Sequence, residues 1–585
     1  MRRLLLVVGI VLAVGAPAMA ARASSPPLPE PNFAGTVVPS PCAAQSGDPY
    51  EAARFAQEGW AGPDYVRYPG ACQRLHFVYG PIVVKPGQND VLVTPVTIEK
   101  PAYDGYVTRF APNLVGPDGK PPDITDVHLH HATWLTTNNY GEGPFFAAGE
   151  EKTIGDVPRG YGMPVKGSDV WALLYMIHDL SAQPKVVWIT YDLDYIAKDK
   201  AESYPINLKP AYPVWLDVRN GSAYPVFNAV RGYGTNGSCT WPAQECAPLD
   251  PWGNQSAGQG KPPDRPGGDV RLPQRGSSMG RMTNFQGGTL IEIGGHLHPG
   301  GTDDAVDLVR GGQSRRIFTS ESRYWDHVDH SQLGAPPTSW DFSMTTTGLP
   351  TWGIHVLPGD VLRINATYDS TVASTYEDMG IAIAMMAPDT PSGRPSAPGL
   401  DPFTVDFDPT EGCSSGGLAA GVVCDKGVVT HGHLPEASTY GGPVGTITTK
   451  AGSQTNQVDI SGFTYVPGDL STIGTTGVPV TRLGQQLTFL NTDAAADVYH
   501  TVTTCAYPCA GATGLAFPLA NGDTSAGRPL DFDSAQLGYG LPIGGASNRS
   551  SWTLDVTGAN GFRKGETVTF FCRIHPYMRG AFQVG

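Results

Sequence analysis

Short runs of β-branched and aromatic residues, each bounded by glycine or proline, constrain the fold of this chain more than any other feature. Residues 185–191 (KVVWITY) and 360–368 (DVLRINATY) are examples of such runs. No long apolar stretch with a period of 3.6 residues stands out, and the 73 Gly and 53 Pro spread turns along all 585 residues. Strands separated by turns of this kind predict an all-β architecture.

The N-terminal residues have the organisation of a secretory signal. Arg2 and Arg3 form a charged start, residues 4–14 are an apolar run, and residues 18–20 (AMA) are a small-x-small cleavage site. We therefore expect residues 1–20 to be a signal peptide, and the protein to be exported to the periplasm, the cell surface or the extracellular space. The apolar run is too short to cross a bilayer and no later stretch is long enough, so no membrane span is expected.

Changes in composition divide the rest of the chain, which is long enough for several separate cores. Stretches rich in Gly and Pro, such as 389–399, are typical of linkers. We expect two tandem jelly-roll-like β-sandwiches and a third β-domain after them. The predicted segments are a Pro-rich segment at 21–74, β-sandwiches at 75–212 and 213–388, a linker with a disulfide at 389–444, and the last domain at 445–585.

The nine cysteines indicate disulfides. Cys572 is set aside as a candidate metal ligand, and the other eight lie in couples that are close in sequence. Many connectivities are possible, so pairing by proximity is a hypothesis, and export would allow such disulfides to persist. A second thiolate metal site is the alternative, but the chain has no Cys-x-x-Cys motif. The expected pairs are Cys42–Cys72, Cys239–Cys246, Cys413–Cys424 and Cys505–Cys509.

A Cys-x-x-His-x-x-Met sequence near the end of the chain places three soft metal ligands on one short loop. Its residues are Cys572, His575 and Met578, and His500 on an earlier predicted strand is a candidate for a second imidazole. A thiolate, two imidazoles and a weak axial thioether suit copper that cycles between Cu(I) and Cu(II). The alternative is a buried thiol beside a methionine that fills the core. The ligand types, their order and their spacing favour a type 1 (blue) copper site.

This region resembles the cupredoxin family of amicyanin- and plastocyanin-like blue-copper domains. The resemblance rests on residues 575–580 (HPYMRG) and covers about the last quarter of the chain. It implies a Greek-key β-sandwich that binds one type 1 copper and exchanges single electrons with a redox partner protein or a small reductant. The interval from His500 to Cys572 is 72 residues (572 − 500), longer than in compact cupredoxins, so the partner surface is not assumed to match.

Two histidine-rich stretches lie upstream. His128, His130 and His131 fall on a predicted strand, where alternation puts His128 and His130 on one face and His131 on the other. His296 and His298 are two residues apart and project side by side, between glycines that let the backbone bend. Neutral imidazoles are common ligands of copper and zinc. The alternative for each is a hydrogen-bonded core or surface histidine.

These stretches resemble the copper type II monooxygenases, the peptidylglycine hydroxylating and dopamine β-monooxygenase family. The shared features are an adjacent His-His pair with a later strand histidine, then a His-x-His with a distant methionine. The resemblance implies two β-sandwiches with one copper each, the first relaying electrons and the second binding dioxygen to attack a C–H bond. The implied ligands are His130, His131 and His178 for the first copper, and His296, His298 and Met379 for the second. Met344, Met385 and Met386 are alternatives to Met379, and His128 is expected beside the first site rather than in it.

Positions that bind substrate in that family are changed in this chain. Met176 stands where the peptide hydroxylases carry glutamine, and Gly294 where they carry an arginine. Ile381 and Ile383 replace an asparagine and a tyrosine. The metal ligands are thus matched while the peptide-carboxylate pocket is not, so peptide amidation is not expected.

The leading hypothesis is an exported copper protein whose blue-copper domain transfers electrons for an upstream two-copper monooxygenase-like module, which would use dioxygen and an organic substrate. The alternative is a non-enzymatic electron-transfer or copper-holding protein with the sandwiches as scaffold. Multicopper oxidases and copper nitrite reductases are disfavoured, because Phe571 and Arg573 rather than histidine flank Cys572. The net charge of −15 argues against nucleic-acid partners. No Gly-x-Ser-x-Gly or His-Glu-x-x-His motif indicates a hydrolase.

Overall fold

Strands dominate the described part of the chain, and the predicted all-β fold class is confirmed. Glycine- and proline-rich turns separate the strands, as the sequence predicts. The computed structural model describes residues 39–43, 66–85, 89–122, 127–137, 142–151, 153–179, 181, 183–219, 227–229, 233–244, 246, 268–274, 284–298, 300–324, 342–344, 346–347, 352–370, 375–405, 450–496, 498–505, 532, 534, 537–538, 549–572, 575 and 578–585.

The first sandwich has two sheets that enclose one apolar core. Its strands are β1 (Ser40–Pro41), β2 (Cys72–Val84), β3 (Asn89–Ile98), β4 (Gly105–Val115), β5 (Val127–Thr137), β6 (Glu142–Gly149), β7 (Gly155–Asp156), β8 (Tyr161–Val165), β9 (Trp171–Asp179), β10 (Lys185–Ala197) and β11 (Lys209–Pro210), and a helical turn, α1 (Lys198–Ala201), follows β10. The larger sheet has the order β1-β2-β10-β4-β8-β11 with β7 on β4, and the smaller one β3-β9-β5-β6. Trp134 and Trp171 of the smaller sheet pack against Leu193 of the larger one. Because β5 and β9 are neighbours, the smaller sheet carries His128, His130, His131 and His178.

The second sandwich follows directly. Its strands are β12 (Tyr212–Asp217), β13 (Phe227–Ala229), β14 (Ser238–Trp241), β15 (Asp269–Arg271), β16 (Gly288–His296), β17 (Gly301–Arg310), β18 (Gln313–Tyr324), β19 (Phe342–Met344), β20 (Thr346–Thr347), β21 (Ile354–Val356), β22 (Val361–Asp369), β23 (Thr375–Asp378) and β24 (Ile381–Pro388). The sheets run β12-β24-β16-β20 with β21 on β16, β14-β22-β17-β18-β19 with β15 on β22, and β13-β23. Strict alternation along β22 sends Leu362, Ile364 and Ala366 into the core. β16, which ends at His296, is central in its sheet.

The third unit is a smaller pair of mixed sheets. Its strands are β25 (Ala451–Gln454), β26 (Gln457–Ser461), β27 (Thr464–Val466), β28 (Val478–Thr481), β29 (Gln485–Asn491), β30 (Thr503–Cys505), β31 (Ser551–Val556), β32 (Thr567–Phe571) and β33 (Arg579–Val584), with helical turns α2 (Ile473–Thr476) and a 3₁₀ turn at Asp493–Ala496. One sheet has the order β25-β28-β33-β32-β30 and the other β27-β26-β29-β31. Phe489, Phe570 and Phe582 fill the core between them. The antiparallel pair β32–β33 carries the Cys-x-x-His-x-x-Met loop at its turn.

Apolar contacts join the first two sandwiches. Val157 of the first packs with Ile291 and Met385 of the second. In a second cluster, Met176 from β9 packs with Met379, just before β24. The backbone N–H of Asp156 also donates to Glu292 Oε1 over 2.6 Å. The β6 edge of the first sandwich therefore lies against β16 of the second.

Residues 389–399, predicted to begin a linker, pack across both sandwiches. The Tyr161 hydroxyl of the first sandwich donates to the Ser396 carbonyl over 3.2 Å. The Thr289 hydroxyl of the second donates to the Ala397 carbonyl, also over 3.2 Å, and Ala397 is buried. This part of the predicted linker thus helps to fix the two sandwiches, while residues 406–444 lie outside the described residues.

Two of the expected disulfides, Cys42–Cys72 and Cys239–Cys246, are present. They indicate an oxidising, exported environment. Cys413, Cys424 and Cys509 lie outside the described residues, so neither of the other two expected pairs is described, and the predicted signal at 1–20 is outside as well. None of the described helices is long and apolar enough to span a membrane.

Replacing both Cys42 and Cys72 with serine should lower the free energy of unfolding of the first sandwich by about 3–4 kcal/mol. The bond closes a loop with a sequence separation of 30, which restricts the unfolded chain. Calorimetric unfolding of the first sandwich measures the loss. The matched double variant at Cys239 and Cys246, with a separation of only 7, should cost about 2 kcal/mol. An equal or larger loss in this second variant would contradict the loop-length argument.

Candidate metal centres

The turn between β32 and β33 holds the C-terminal centre, which comprises His500, Cys572, His575 and Met578. Cys572 directly follows β32 and Met578 directly precedes β33. The Cys572 N–H donates to the Met578 carbonyl over 3.1 Å, and the Met578 N–H donates to the His575 carbonyl over 2.8 Å. These bonds close the loop tightly, so its side chains share one small volume.

Three donor atoms converge in this centre. Cys572 Sγ lies 3.6 Å from His575 Nδ1 and 3.9 Å from His500 Nδ1. The two Nδ1 atoms are 3.1 Å apart, and all three side chains are buried. Their ligand atoms lie within 4.8 Å of one another, close enough to hold one metal ion. Met578 is buried in the same apolar core as Cys572, and its role as axial ligand stays a prediction.

Hydrogen bonds prepare the thiol to bind a cation. The N–H groups of Thr501 and His575 point at Cys572 Sγ over 3.3 and 3.4 Å. Burial alone would raise the pKa of the Cys572 thiol, but the charges and hydrogen bonds of His575 and His500 lower this pKa well below its usual value. The centre therefore favours the thiolate, which is the form that binds metals.

Asp493 orients His500 from the outer side. Its Oδ2 lies 3.0 Å from His500 Nε2, and its carboxylate accepts the N–H groups of Gly462 and Phe463 over 2.7 and 3.1 Å. Burial alone would raise the pKa of Asp493, but these hydrogen bonds lower it. An ionised carboxylate on Nε2 fixes the imidazole so that Nδ1 faces the thiol, an arrangement common around metal-binding histidines. Asp493 was not predicted from the sequence, where its only signal is that it lies seven residues before His500.

A β-bulge in β5 turns its histidines to one side. His128 pairs with His178 on β9, whereas His131 pairs with Met176 after a shift in register that leaves His130 as the extra residue. Met176 and His178 lie on the same face of β9, so His131 shares a face with His128. The expectation that His131 points to the opposite face is wrong, because strict alternation does not survive a bulge.

Six buried or half-buried imidazoles form what we call the histidine cluster. Ligand atoms of His128, His130 and His178 lie within 4.8 Å of one another, and so do those of His130, His131 and His298. The His130 ring lies 4.0 Å from His178 and 3.7 Å from His298, measured between ring centres. The cluster members are His128, His130, His131, His178, His296 and His298.

The two ligand sets expected from the sequence thus lie together rather than apart. His130 belongs to both groups of three, and His298 of the second sandwich stacks on it. His128, expected only beside the first site, has its ligand atom within reach of His130 and His178. His296 lies 4.9 Å from His298 between ring centres. The ligand assignments themselves stay predictions.

Burial keeps the imidazoles of His130, His131 and His298 neutral. It is the main cause that lowers the pKa of His130 and His298 well below the usual value, with the charges of neighbouring histidines adding to it. For His131, burial and the charge of His296 lower the pKa to about 3. Neutral imidazole is the form that binds metal ions. Among the described residues, Nε2 of His130 and both ring nitrogens of His298 have no hydrogen-bond partner, so the donor set fits a buried metal.

Two adjacent carboxylates complete the surroundings. Glu150 and Glu151 follow β6 and are buried. Glu150 Oε1 lies 2.8 Å from His130 Nδ1, and Glu151 Oε1 lies 2.8 Å from His296 Nδ1. Neither carboxylate was predicted from the sequence, although a Glu-Glu pair after an apolar strand is a detectable signal in a chain with only 16% charged residues.

The expected ligand Met379 lies next to the cluster through its backbone. The Tyr368 hydroxyl donates to the Met379 carbonyl over 2.7 Å and accepts the N–H of His298 over 2.9 Å. The Met379 side chain is buried against Met176. Tyr368 therefore holds the Met379 and His298 backbones together, and coordination by the Met379 sulfur stays a prediction.

Gly149 allows the close approach of the two sandwiches at this point. A Cβ on Gly149 would lie 2.4 Å from the His130 carbonyl oxygen and 2.5 Å from His296 Cε1. Gly149→Ala should therefore lower the free energy of unfolding by about 1–3 kcal/mol and weaken metal binding by the cluster. Denaturant titration and metal content measure the two effects.

Gly116→Ala is a matched control in the same sandwich. A Cβ there meets Asp118 Oδ1 at an ordinary contact distance of 3.5 Å. The free energy of unfolding of this variant should therefore stay within about 0.5 kcal/mol of that of the unchanged protein. Equal stability of the Gly149 and Gly116 variants would contradict the tight contact with His296.

An apolar pocket with about 680 Å³ of empty volume, including space open to solvent, lies between the sandwiches beside His296. Gly294, Ile381 and Ile383 line it. Its polar residues include Arg109 and Glu292 as well as His296. The apolar part of its wall includes Phe110, Phe145, Phe146, Ile154 and Met385.

Comparison with known proteins gives no family assignment. No protein-family model and no curated protein matches the chain. Similar solved structures include the major capsid protein P2 of bacteriophage PM2 (12% identity, TM-score 0.21, 54% of this chain and 98% of that one). Another is a copper-containing nitrite reductase from Thermus scotoductus SA-01 (14% identity, TM-score 0.13, 51% of this chain and 55% of that one). A third is a peptide-N(4)-(N-acetyl-β-D-glucosaminyl) asparagine amidase (10% identity, TM-score 0.21, 53% of this chain and 96% of that one). At these TM-scores the similarities carry no argument about fold or function.

Proposed function

We propose that this is an exported copper protein whose C-terminal centre transfers single electrons and serves an upstream two-copper monooxygenase-like module. The single observation that carries the proposal is the buried convergence of His500, Cys572 and His575. A buried thiolate with two imidazoles suits copper better than harder metals. Copper bound there would exchange one electron at a time.

The protein groups around this centre keep its geometry fixed. Asp493 holds the His500 ring, and backbone N–H groups of Thr501 and His575 point at the sulfur. The Phe463 ring packs edge-on against both imidazoles, with ring centres 5.4 and 5.2 Å away. A rigid, dry ligand set needs little rearrangement between oxidation states, which favours fast electron exchange.

The position of the C-terminal centre supports electron delivery to the histidine cluster. Burial, followed by the charges of His128, His131 and His575, lowers the pKa of His178 well below its usual value. The charge of His575 in the C-terminal centre thus acts on His178 of the histidine cluster. We propose that electrons pass from His575 to His178 and so into the cluster.

The pocket beside His296 supports an organic substrate with a largely apolar portion. Its wall is mostly aromatic and aliphatic, and Arg109 and Glu292 are its charged residues. Such a pocket would expel water and hold a hydrocarbon portion of the substrate against the cluster. Copper bound by the cluster would supply the dioxygen chemistry of the module.

Copper counting with optical and spin-resonance spectra tests the proposal. We expect about three copper ions per chain and an intense blue absorption from the thiolate–copper bond of the C-terminal centre. About one ion per chain with a blue band would instead support the non-enzymatic electron carrier. A colourless protein after oxidation with copper would remove the electron-transfer proposal. Oxygen uptake with a reductant and apolar candidate substrates then tests the monooxygenase part.

A further inference from the structure

The carboxylates of Glu150 and Glu151 lie where a bound cation would stabilise them. Both side chains are buried, and among the described residues Oε2 of each has no hydrogen-bond partner. Burying two adjacent carboxylates without compensation is costly. Around them, buried His130 and His298 also carry ring nitrogens that lack hydrogen bonds. Carboxylate oxygens and imidazole nitrogens that lack hydrogen bonds in the described residues thus lie close together.

Glu150 touches histidines of both sandwiches. Its Oε1 lies 2.8 Å from His130 Nδ1 and 3.5 Å from His128 Nε2. Its Oε2 lies 3.4 Å from His298 Nδ1. The two oxygens of one carboxylate therefore face the two groups of three imidazoles. A carboxylate in this position can bind one metal ion through each oxygen, as in paired metal sites with ions about 3.5–4 Å apart.

Glu151 contacts His296 instead of the histidines that surround Glu150. Its Oε1 lies 2.8 Å from His296 Nδ1 and accepts the Gly149 N–H over 3.1 Å. A carboxylate on Nδ1 fixes the tautomer and leaves Nε2 as the free donor. Nε2 of His296 is buried and, within the described residues, has no hydrogen-bond partner. Glu151 thus orients His296 rather than replacing it.

We propose that Glu150 and Glu151 complete a single dinuclear metal centre across the two sandwiches, with Glu150 bridging the ions and Glu151 positioning His296. This inference rests on metal binding by the histidine cluster, which is part of the proposed function. It replaces two separate three-ligand sites with one mixed imidazole–carboxylate centre. A site of imidazoles and carboxylates can bind copper, zinc or iron, and copper is the metal for the test.

The test uses the full-length protein loaded with Cu(II). A carboxylate bridge couples the spins of two Cu(II) ions, so the integrated spin-resonance signal should account for fewer spins than the copper content. Glu150→Gln, which keeps the side-chain size, should lower the copper content by about one ion per chain or weaken that ion about 100-fold, and remove the spin deficit. Glu151→Gln should keep both ions while weakening one about 10–100-fold. Glu202→Gln, at the exposed end of α1, is the control and should change neither reading.

The blue band separates the possible failures, because it reports on the C-terminal centre alone. Unchanged copper content and an unchanged spin deficit in Glu150→Gln overturn the dinuclear centre and leave the proposed function intact. A histidine cluster that takes up no copper in the unchanged protein overturns both this inference and the upstream half of the proposed function. If Glu150→Gln does not fold, Glu150→Asp carries the test. Its shorter carboxylate should alter the spin coupling, and identical coupling would contradict the bridge.

Discussion

Cys572→Ser is expected to abolish the blue absorption and to weaken copper binding at the C-terminal centre by at least about 100-fold. Apparent binding free energies of about 10–16 kcal/mol for four-ligand sites correspond to roughly 3 kcal/mol for each ligand, or about a factor of 100. The thiolate is the softest donor of the set and the one that gives rise to the charge-transfer band. Copper titration followed by optical absorption measures both effects.

Met578→Leu is the matched control for this substitution. Leucine keeps the volume of the buried side chain and removes the sulfur that is proposed as the weak axial donor, so a blue band should remain with a shifted reduction potential. Far-ultraviolet circular dichroism should show the same strand content in both variants. A Cys572→Ser protein that stays blue, or a Met578→Leu protein that loses its colour entirely, would contradict the ligand assignment.

The C-terminal centre could be read from the sequence because its geometry is local. Cys572, His575 and Met578 lie within seven residues at the turn of one antiparallel pair, so the loop alone brings them together. His500 could be proposed from its place before the cysteine in the order of ligands. In the structure, β30 follows His500 and pairs with β32. Its orienting partner Asp493 could not, because nothing in the sequence says which face of the 3₁₀ turn approaches the ring.

The upstream centre could be predicted only in its composition. The sequence identifies the histidines, but strict alternation misplaces His131, since a bulge cannot be read from residue types. The stacking of His298 on His130 depends on how two sandwiches pack, and Gly149 permits that approach through the absence of a side chain. Glu150 joins the cluster because the pairing of β5 with β6 sets Gly149 opposite His131 and so places the next residue beside His130. The positions of the histidines on their strands were predictable from the sequence. The contact between strands of different sandwiches was not.

His130→Ala is expected to have the largest effect on upstream metal binding, because His130 belongs to both groups of three imidazoles. If each lost ligand weakens an ion about 100-fold, His130→Ala should weaken both upstream ions. If the ions occupied two separate sites, as expected from the sequence, the substitution would weaken the binding of only one ion. Equilibrium copper titration, counting ions retained at a fixed free-copper concentration, measures the difference.

His131→Ala is the matched comparison, since His131 neighbours His130 on the same strand but belongs to one group only. It should weaken a single ion and leave the other near its original affinity. Truncating His130 also leaves Glu150 Oε1 without its 2.8 Å contact, so Glu150 should be freer to protonate and the loss at both positions should be reinforced. Equal copper retention in the two variants would mean that His130 serves one ion only. The cluster would then be two independent sites that happen to be packed together, and electrons arriving at His178 would need a second step to reach the metal beside the apolar pocket.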